Sequence, residues 1–362
     1  MIRIRSTICV VILFSIVLSL SGCSFLYSSL ELYENTSLVT ASSTTQSTTA
    51  IVTEEGDCYI RGYVSEDLPY GVSDISAYQM RYNNIFDPFA PDRFVRIYNQ
   101  HDAKNIILSG EGGCIITKQN ALLVFSNNFA EYTYPTYFCN NIIYAKLVAD
   151  RVYVLNTDHS FGYYEIASPD QFVQLRAGVK KFISSNADSS LWLLTENGVL
   201  EMYEDINNLE EKSHSIDDIS CFDMICFDYS PRLPHNGYSL AYMTNGGKIF
   251  CYRGYGFPIE EKKNEVKEIR ATGESVAAYS EGIIVLNQGS ALIFGKDIYR
   301  DYAFDGVVLA DDVIDISADM STLNVTTTDQ FLSFGSLPSS TTYYISEYIE
   351  EIQKAGAGSL VP

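Results

Sequence analysis

The sequence predicts an all-β chain built as a ring of six or seven four-stranded blades, and three observations predict it. Between Cys58 and Pro338 helical periodicity is almost absent, and short β-rich runs alternate with Gly, Asn and Asp turns. The runs recur, with closing positions at Phe125, Tyr164, Tyr203, Arg253, Gly295 and Gly335 that lie 39, 39, 50, 42 and 40 residues apart. That spacing suits one blade of a β-propeller per repeat. Within one repeat, Asn197-Gly198 stands between two apolar runs, the strongest short-range signal for a hairpin.

Two units show the repeat most clearly. In the last, "DDVIDISADMSTLNVTTTDQFLSFGS", a short strand with Val313, Ile314 and Ile316 precedes a strand over Leu323 to Thr327. An Asp329-Gln330 turn follows, and Phe331 to Phe334 close on Gly335. In "VKKFISSNADSSLWLLTENGVLEMY", Leu191 to Thr195 precede the Asn197-Gly198 turn and Val199 to Tyr203 follow it. Val313, Ile316, Ser317, Ala318, Thr327, Asp329, Phe334 and Gly335 in one unit carry a common pattern. Val179, Phe182, Leu191, Leu193, Thr195, Asn197, Gly198, Val199 and Tyr203 carry it in the other. The pattern resembles the repeat of the regulator of chromosome condensation family, and the resemblance implies a seven-bladed propeller. The family's His before the second strand and its Gln-Leu-Gly turn are absent here.

Six repeats are readable. The stretch from Cys58 to Gly62 reads as the closing strand of a further repeat, one that would complete a blade formed otherwise by the C-terminal part and so protect the ring's edges. Residues 63–100 fit the repeat poorly and hold either the missing blade or an insertion. After the propeller, assigned to 58–336, the tail 337–362 places Ile345, Tyr348, Ile349 and Ile352 on one helical face.

Ahead of the propeller, Arg3 and Arg5 precede an apolar core from Ile8 to Leu20, the layout of a secretory signal peptide. The core is shorter than the roughly 20 apolar residues of a membrane-spanning helix. It ends in Leu20-Ser21-Gly22-Cys23, which resembles the lipobox of bacterial lipoproteins. The resemblance implies removal of residues 1–22, lipidation of Cys23 and a membrane anchor of two buried acyl chains. Residues 23–57, including "TSLVTASSTTQSTTAIVTEEGD", are Ser/Thr-rich without a sustained apolar period and read as a disordered tether.

Composition narrows the function. With Arg3 and Arg5 removed from its 24 basic residues, the chain sets 22 against 45 acidic ones, a formal charge of −23. Such a field repels nucleic acid, and no basic stripe offers a phosphate track. Cys58, Cys114, Cys139, Cys221, Cys226 and Cys251 form no CxxC pair and read as buried thiols, with a disulfide as the alternative that export permits. Cys221 and Cys226 fall on opposite faces if one strand holds both. The four histidines show no zinc spacing, so neither a metal nor a cofactor is expected.

Motifs for phosphate loops, HExxH metal sites and GxSxG elbows are missing, and no catalytic residue is assigned. Asp158-His159-Ser160 brings triad residue types together only as neighbours in a turn. The aromatic connections offer more. "FAEYTYPTYF" holds Tyr132, Tyr134 and Tyr137, and "YRGYGFP" holds Tyr255 and Phe257, side chains suited to protein or sugar surfaces when displayed on loops. The expected function is therefore binding of a protein or cell-wall partner by a surface-anchored, extracytoplasmic propeller without catalysis. The alternative is a carbohydrate-active propeller enzyme with paired carboxylates at the central channel.

Overall fold

The computed structural model describes residues 37–45, 48–62, 94–109, 112–126, 135–185, 189–210, 212–228, 237–255, 266–297, 303–320, 322–336 and 342–343. Among them are 28 strands in seven four-stranded antiparallel sheets, and no helix. In each sheet the strands lie in chain order, so every blade is one continuous stretch of sequence. Blade one is β1 (Val39–Thr44), β2 (Thr48–Thr53), β3 (Cys58–Gly62) and β4 (Val95–Tyr98). Blade two is β5 (Ala103–Ser109), β6 (Gly112–Thr117), β7 (Leu122–Ser126) and β8 (Thr136–Cys139). Blade three runs through β9 (Ile142–Val148), β10 (Arg151–Asn156), β11 (Phe161–Glu165) and β12 (Ser168–Arg176). Blade four follows as β13 (Val179–Ser184), β14 (Leu191–Thr195), β15 (Leu200–Tyr203) and β16 (His214–Ile216). Blade five contains β17 (Ile219–Asp228), β18 (Gly237–Thr244), β19 (Ile249–Tyr255) and β20 (Lys267–Ile269). β21 (Ser275–Tyr279), β22 (Gly282–Asn287), β23 (Ser290–Lys296) and β24 (Ala303–Ala310) make blade six. β25 (Val313–Asp319), β26 (Thr322–Thr327), β27 (Phe331–Ser336) and β28 (Thr342–Tyr343) make blade seven.

The first strands form the inner ring, β1 beside β5, β5 beside β9, β17 beside β21, β21 beside β25, and β25 back beside β1. The fold is a seven-bladed β-propeller. All six closing positions read from the sequence fall in third strands, so the repeat was phased correctly.

Three boundaries differ from the sequence reading. The propeller begins at Val39, inside the expected tether, and all six residues of β2 are buried. Composition misled here because Thr is β-branched as well as polar: Thr48 to Thr53 has the side chains of a strand, and Ala50, Ile51 and Val52 are fully covered. Next, Cys58–Gly62 pairs with β2 and β4, not with the C-terminal part, and among the described residues no strand is exchanged across the closure. Residues 95–98, inside the poorly fitting segment, are blade one's outer strand. Finally, blade seven takes its outer strand from Thr342–Tyr343, beyond the expected limit at 336. The helical face expected at Ile345 to Ile352 lies outside the described residues, as does the leader.

Side chains alternate between the two faces of each blade, and adjacent faces mesh into apolar layers. Phe125, Ile106 and Ile60 pack between blades one and two, Phe182 and Phe161 between three and four, and Trp192, Phe222 and Leu240 between four and five. β17 puts Cys226 in the layer toward blade four and Cys221 in the layer toward blade six, the opposite-face placement expected of residues five apart. All six described cysteines are free thiols, with Cys58 and Cys114 fully covered. Burial pushes the Cys114 thiol up to about 12 and that of Cys139 up to about 11, which leaves both protonated and unreactive.

Where two glycines face each other the blades tolerate nothing larger. Gly282 pairs with Gly295, and a Cβ on Gly282 would lie 2.0 Å from the Phe294 carbonyl oxygen and 2.8 Å from Gly295 Cα. Backbone cannot move aside as a side chain can. Gly282→Ala is therefore expected to lower the unfolding free energy by about 3 kcal/mol, measured by urea denaturation against wild type.

Candidate functional site

A strand lining a ring has a free inner edge, and its unpaired N–H and C=O groups need partners. Here the preceding blade supplies them. Six of the seven first strands carry one extra residue near their start: Thr40, Lys104, Ile143, Lys180, Ser220 and Ile314. The first and third residues after this bulge point at the next blade. Ser43 Oγ accepts the Leu108 N–H at 3.0 Å, carrying blade one to blade two. Lys146 Nζ donates to the Ser184 carbonyl, and Lys181 Nζ donates to the Phe222 carbonyl at 2.7 Å. Asp223 Oδ2 accepts the Ala278 N–H at 2.8 Å, and Asp315 Oδ2 accepts the Ser42 N–H at 3.1 Å. Between blades six and seven the Ser280 N–H reaches the Met320 carbonyl at 3.3 Å. The residue type follows the need: lysine where the neighbour presents an oxygen, serine or aspartate where it presents an N–H.

This ring gathers charge. Burial pushes the Asp223 carboxyl up, and Lys181, the Ala278 and Met224 amides and Lys146 pull it back. Asp315 is raised from the ordinary 3.8 to about 6, again by burial, against hydrogen bonds from the amides of Ser42 and Ile316 and from the Ser42 hydroxyl. Asp223 and Asp315 are buried carboxylates on first strands. Each accepts an amide N–H of the following blade, at a different junction.

A third buried carboxylate ties blades three and four. Glu201, 6% exposed, receives Arg176 Nη2 on both oxygens at 3.1 Å, with Lys212 Nζ at 3.7 Å. The Tyr203 hydroxyl donates to it at 2.9 Å, and burial together with this bond pushes that phenol up to about 12. Among the described residues no three His, Cys, Asp or Glu side chains gather as a metal site. Asp158-His159-Ser160 is the turn that the sequence suggested: Asp158 Oδ1 accepts both the N–H and the hydroxyl of Ser160.

The two ends of the ring differ. At one end the second and third strands join through short turns, 54–57 in blade one and four-residue equivalents such as 196–199. At the other end leave the connections 63–94, 127–135, 204–213, 229–236 and 256–266. Tyr137, near the start of β8, is 59% exposed, and Tyr255, the last residue of β19, is 46% exposed. Both sit at this loop end, in blades two and five, so the structure places them on one face but not in one patch. Tyr132, Tyr134, Phe257 and Cys23 lie outside the described residues. Sequence reading missed Ser43, Lys146, Lys181, Asp223 and Asp315. Their signal was positional: a polar residue one or three places after the bulge, set among apolar residues except in β1, which is itself rich in Ser and Thr.

Comparison with known proteins speaks to the fold. No protein-family model and no curated protein sequence matches the chain. Human WBSCR16 superposes with a TM-score of 0.52 at 9% identity, over 81% of this chain and 87% of that one, a likeness of fold alone. PorZ, an essential bacterial surface component of the type-IX secretion system of Porphyromonas gingivalis, gives 0.48 at 10% identity over 85% of this chain, which spans only 38% of PorZ. BamB from Moraxella catarrhalis gives 0.43 at 9% identity, over 83% and 84% of the two chains.

The raised Asp315 carboxyl sets a pH dependence. Its folded value of about 6 lies above the 3.8 of the free group, so the folded chain holds this proton more tightly than the unfolded one. Its ionisation therefore costs stability fully above pH 6, and the cost fades as pH falls toward 3.8. Asp315→Asn removes the titration. Wild type is expected to gain about 2 kcal/mol relative to this variant between pH 7.5 and 4.5, read from paired urea titrations.

Proposed function

We propose that the protein is an exported lipoprotein, anchored at Cys23 outside the cytoplasm, whose propeller binds a protein or cell-wall partner through its loop end. The asymmetry of the ring carries this reading. Long connections all leave one end, and a rigid scaffold with long loops at one end is the usual arrangement of a recognition surface. The opposite end is closed by short turns that serve blade-to-blade contacts. Exposed Tyr137 and Tyr255 supply aromatic area at the loop end, with Tyr132, Tyr134 and Phe257 in the adjoining connections. The ionisable groups of the inner ring are engaged in holding blades together, which favours binding over catalysis. The repeats are read as divergent relatives of the regulator of chromosome condensation repeat, on the shared turn and strand pattern. Anchoring rests on the charged start, the apolar core and Leu20-Ser21-Gly22-Cys23.

Two experiments test the reading. Metabolic labelling with a radioactive fatty acid in a bacterial host should mark the full chain, and Cys23→Ser should abolish the label; equal labelling of both sinks the anchor. Envelope extracts passed over the full chain should leave a bound ligand. The Tyr137→Ala/Tyr255→Ala double variant should retain it about tenfold more weakly, the scale of an interface residue worth ~1.4 kcal/mol. A wild-type column that retains nothing, or a variant that retains as much, rejects the loop end as the binding surface.

A further inference from the structure

Six of the seven blade interfaces are apolar layers, each with nine to eleven buried hydrophobic side chains among the described residues. The seventh, between the last blade and the first, has three: Val39, Ile51 and Phe94, flanked by Tyr59 and Phe331. The strand registers show what replaces the missing apolar surface. On blade seven, Asp315 pairs with Thr326, and Ser317 with Asn324 and through it with Ser333, so these five side chains share the face toward blade one. On blade one, Thr44, Thr49 and Arg61 align across the sheet on the face toward blade seven, next to the row of Ser42, Ile51 and Tyr59.

Beyond that small cluster, in which the Phe94 and Phe331 rings meet edge to face at 6.0 Å, the contacts across this seam are hydrogen bonds. Besides the Asp315 bond to the Ser42 amide, the Ser42 and Ser317 hydroxyls meet at 2.7 Å across the seam, and within blade seven Asn324 Nδ2 donates to Ser317 Oγ at 3.2 Å. Asn324 Oδ1 and Thr326 Oγ1, on residues with no solvent exposure, have no protein partner. A buried polar atom left unpaired weakens the contact that buries it, and water entering the seam would satisfy it. Among the described residues no strand crosses from one blade to the other to staple the closure.

We propose that this polar seam is the hinge of the ring, where blades one and seven part while the six apolar interfaces stay packed. Water competes directly for hydrogen bonds of the kind that close it, whereas opening any other interface exposes a full apolar layer. Opening at the seam frees the edges of β1 and β25 and leaves blades two to six intact.

Hydrogen exchange of the full-length protein tests this. Amides of β1 and β25, Ser42 above all, should exchange at least tenfold faster than those of β13 and β17, whose interface is apolar. The double variant Ser42→Cys/Ser317→Cys should form a disulfide on mild oxidation, since its sulfurs replace touching hydroxyls. That lock should slow exchange in β1 and β25 about tenfold and leave β13 and β17 unchanged. Thr326→Val, which removes an unpaired hydroxyl at nearly constant volume, should slow the same amides without any cross-link and serves if the cysteine pair does not fold. Equal protection of β1, β25, β13 and β17 in wild type overturns the proposal. So does a folded cysteine pair that does not cross-link, or a formed lock or Thr326→Val that leaves seam exchange unchanged.

Discussion

The inner edge of the first strand is the constraint around which this molecule is arranged. A sheet that ends at a channel leaves backbone groups unpaired, and a propeller repeats that problem in every blade. At five of the seven junctions this chain solves it with a side chain that runs forward, from one blade to the next. Lysine, serine and aspartate are interchangeable at these positions only as the neighbour's exposed group requires. A second forward contact sets the other radius of the joint. The first N–H of each of five first strands donates to the turn carbonyl of the preceding blade: Ala103 to Gly56, Ile142 to Asn120, Val179 to His159, Ile219 to Gly198 and Val313 to Gly289. All five acceptors have positive φ, which aims the carbonyl out of its own turn. Glycine or asparagine fills four of the five, as the left-handed region favours.

Those two contacts explain which parts of the fold were legible in the sequence. In four blades the turn opens on a Thr whose hydroxyl accepts an N–H four residues on: Thr53, Thr117, Thr195 and Thr244. A residue tolerant of positive φ follows at a fixed offset. Asn197-Gly198 therefore phased the repeat correctly. Blade one escaped because its first two strands are Ser and Thr where other blades have Ile and Leu, and the structural reason is now apparent. Ser42, Thr44 and Thr49 sit on the face toward blade seven, the interface built from hydrogen bonds, so tether-like composition and a buried strand coincide there. Ser43 stands on the other face, where its hydroxyl caps the edge of β5. Strand exchange at the closure would answer the edge problem, but side chains answer it locally, Asp315 at β1 and Ser43 at β5.

The candidate site was less legible, for a related reason. Tyr137 and Tyr255 were identified from aromatic connections and are exposed, but a sequence cannot show that blades two and five lie apart around a ring. Asp223 and Asp315 gave the opposite difficulty. Nothing distinguishes a catalytic carboxylate from an edge-capping one until the amide that it accepts is known. Once the lysines and aspartates of the ring are assigned to backbone partners, the chemistry available to the channel shrinks and the loop end gains weight as the functional surface.

Closure also has a kinetic side. Within a blade every pairing is local, and each forward contact of the inner ring joins adjacent repeats, so six interfaces can form as neighbouring segments fold. The seam alone joins residues far apart in the chain: Asp315 and Ser42 are separated by 273 positions, and Ser317 and Ser42 by 275. Bringing such ends together carries the largest loop-closure entropy in the molecule, which falls considerably once the intervening blades are stacked and hold the ends close. A contact formed last on a prebuilt scaffold does not need the driving force of an apolar layer. An apolar seam would moreover expose two sticky faces on every open ring before closure, a liability for any chain that folds among others. Polar residues on the faces that stay open longest keep the unclosed ring in solution, and the hydrogen bonds of Ser42, Asp315 and Ser317 then select the one partner face that fits.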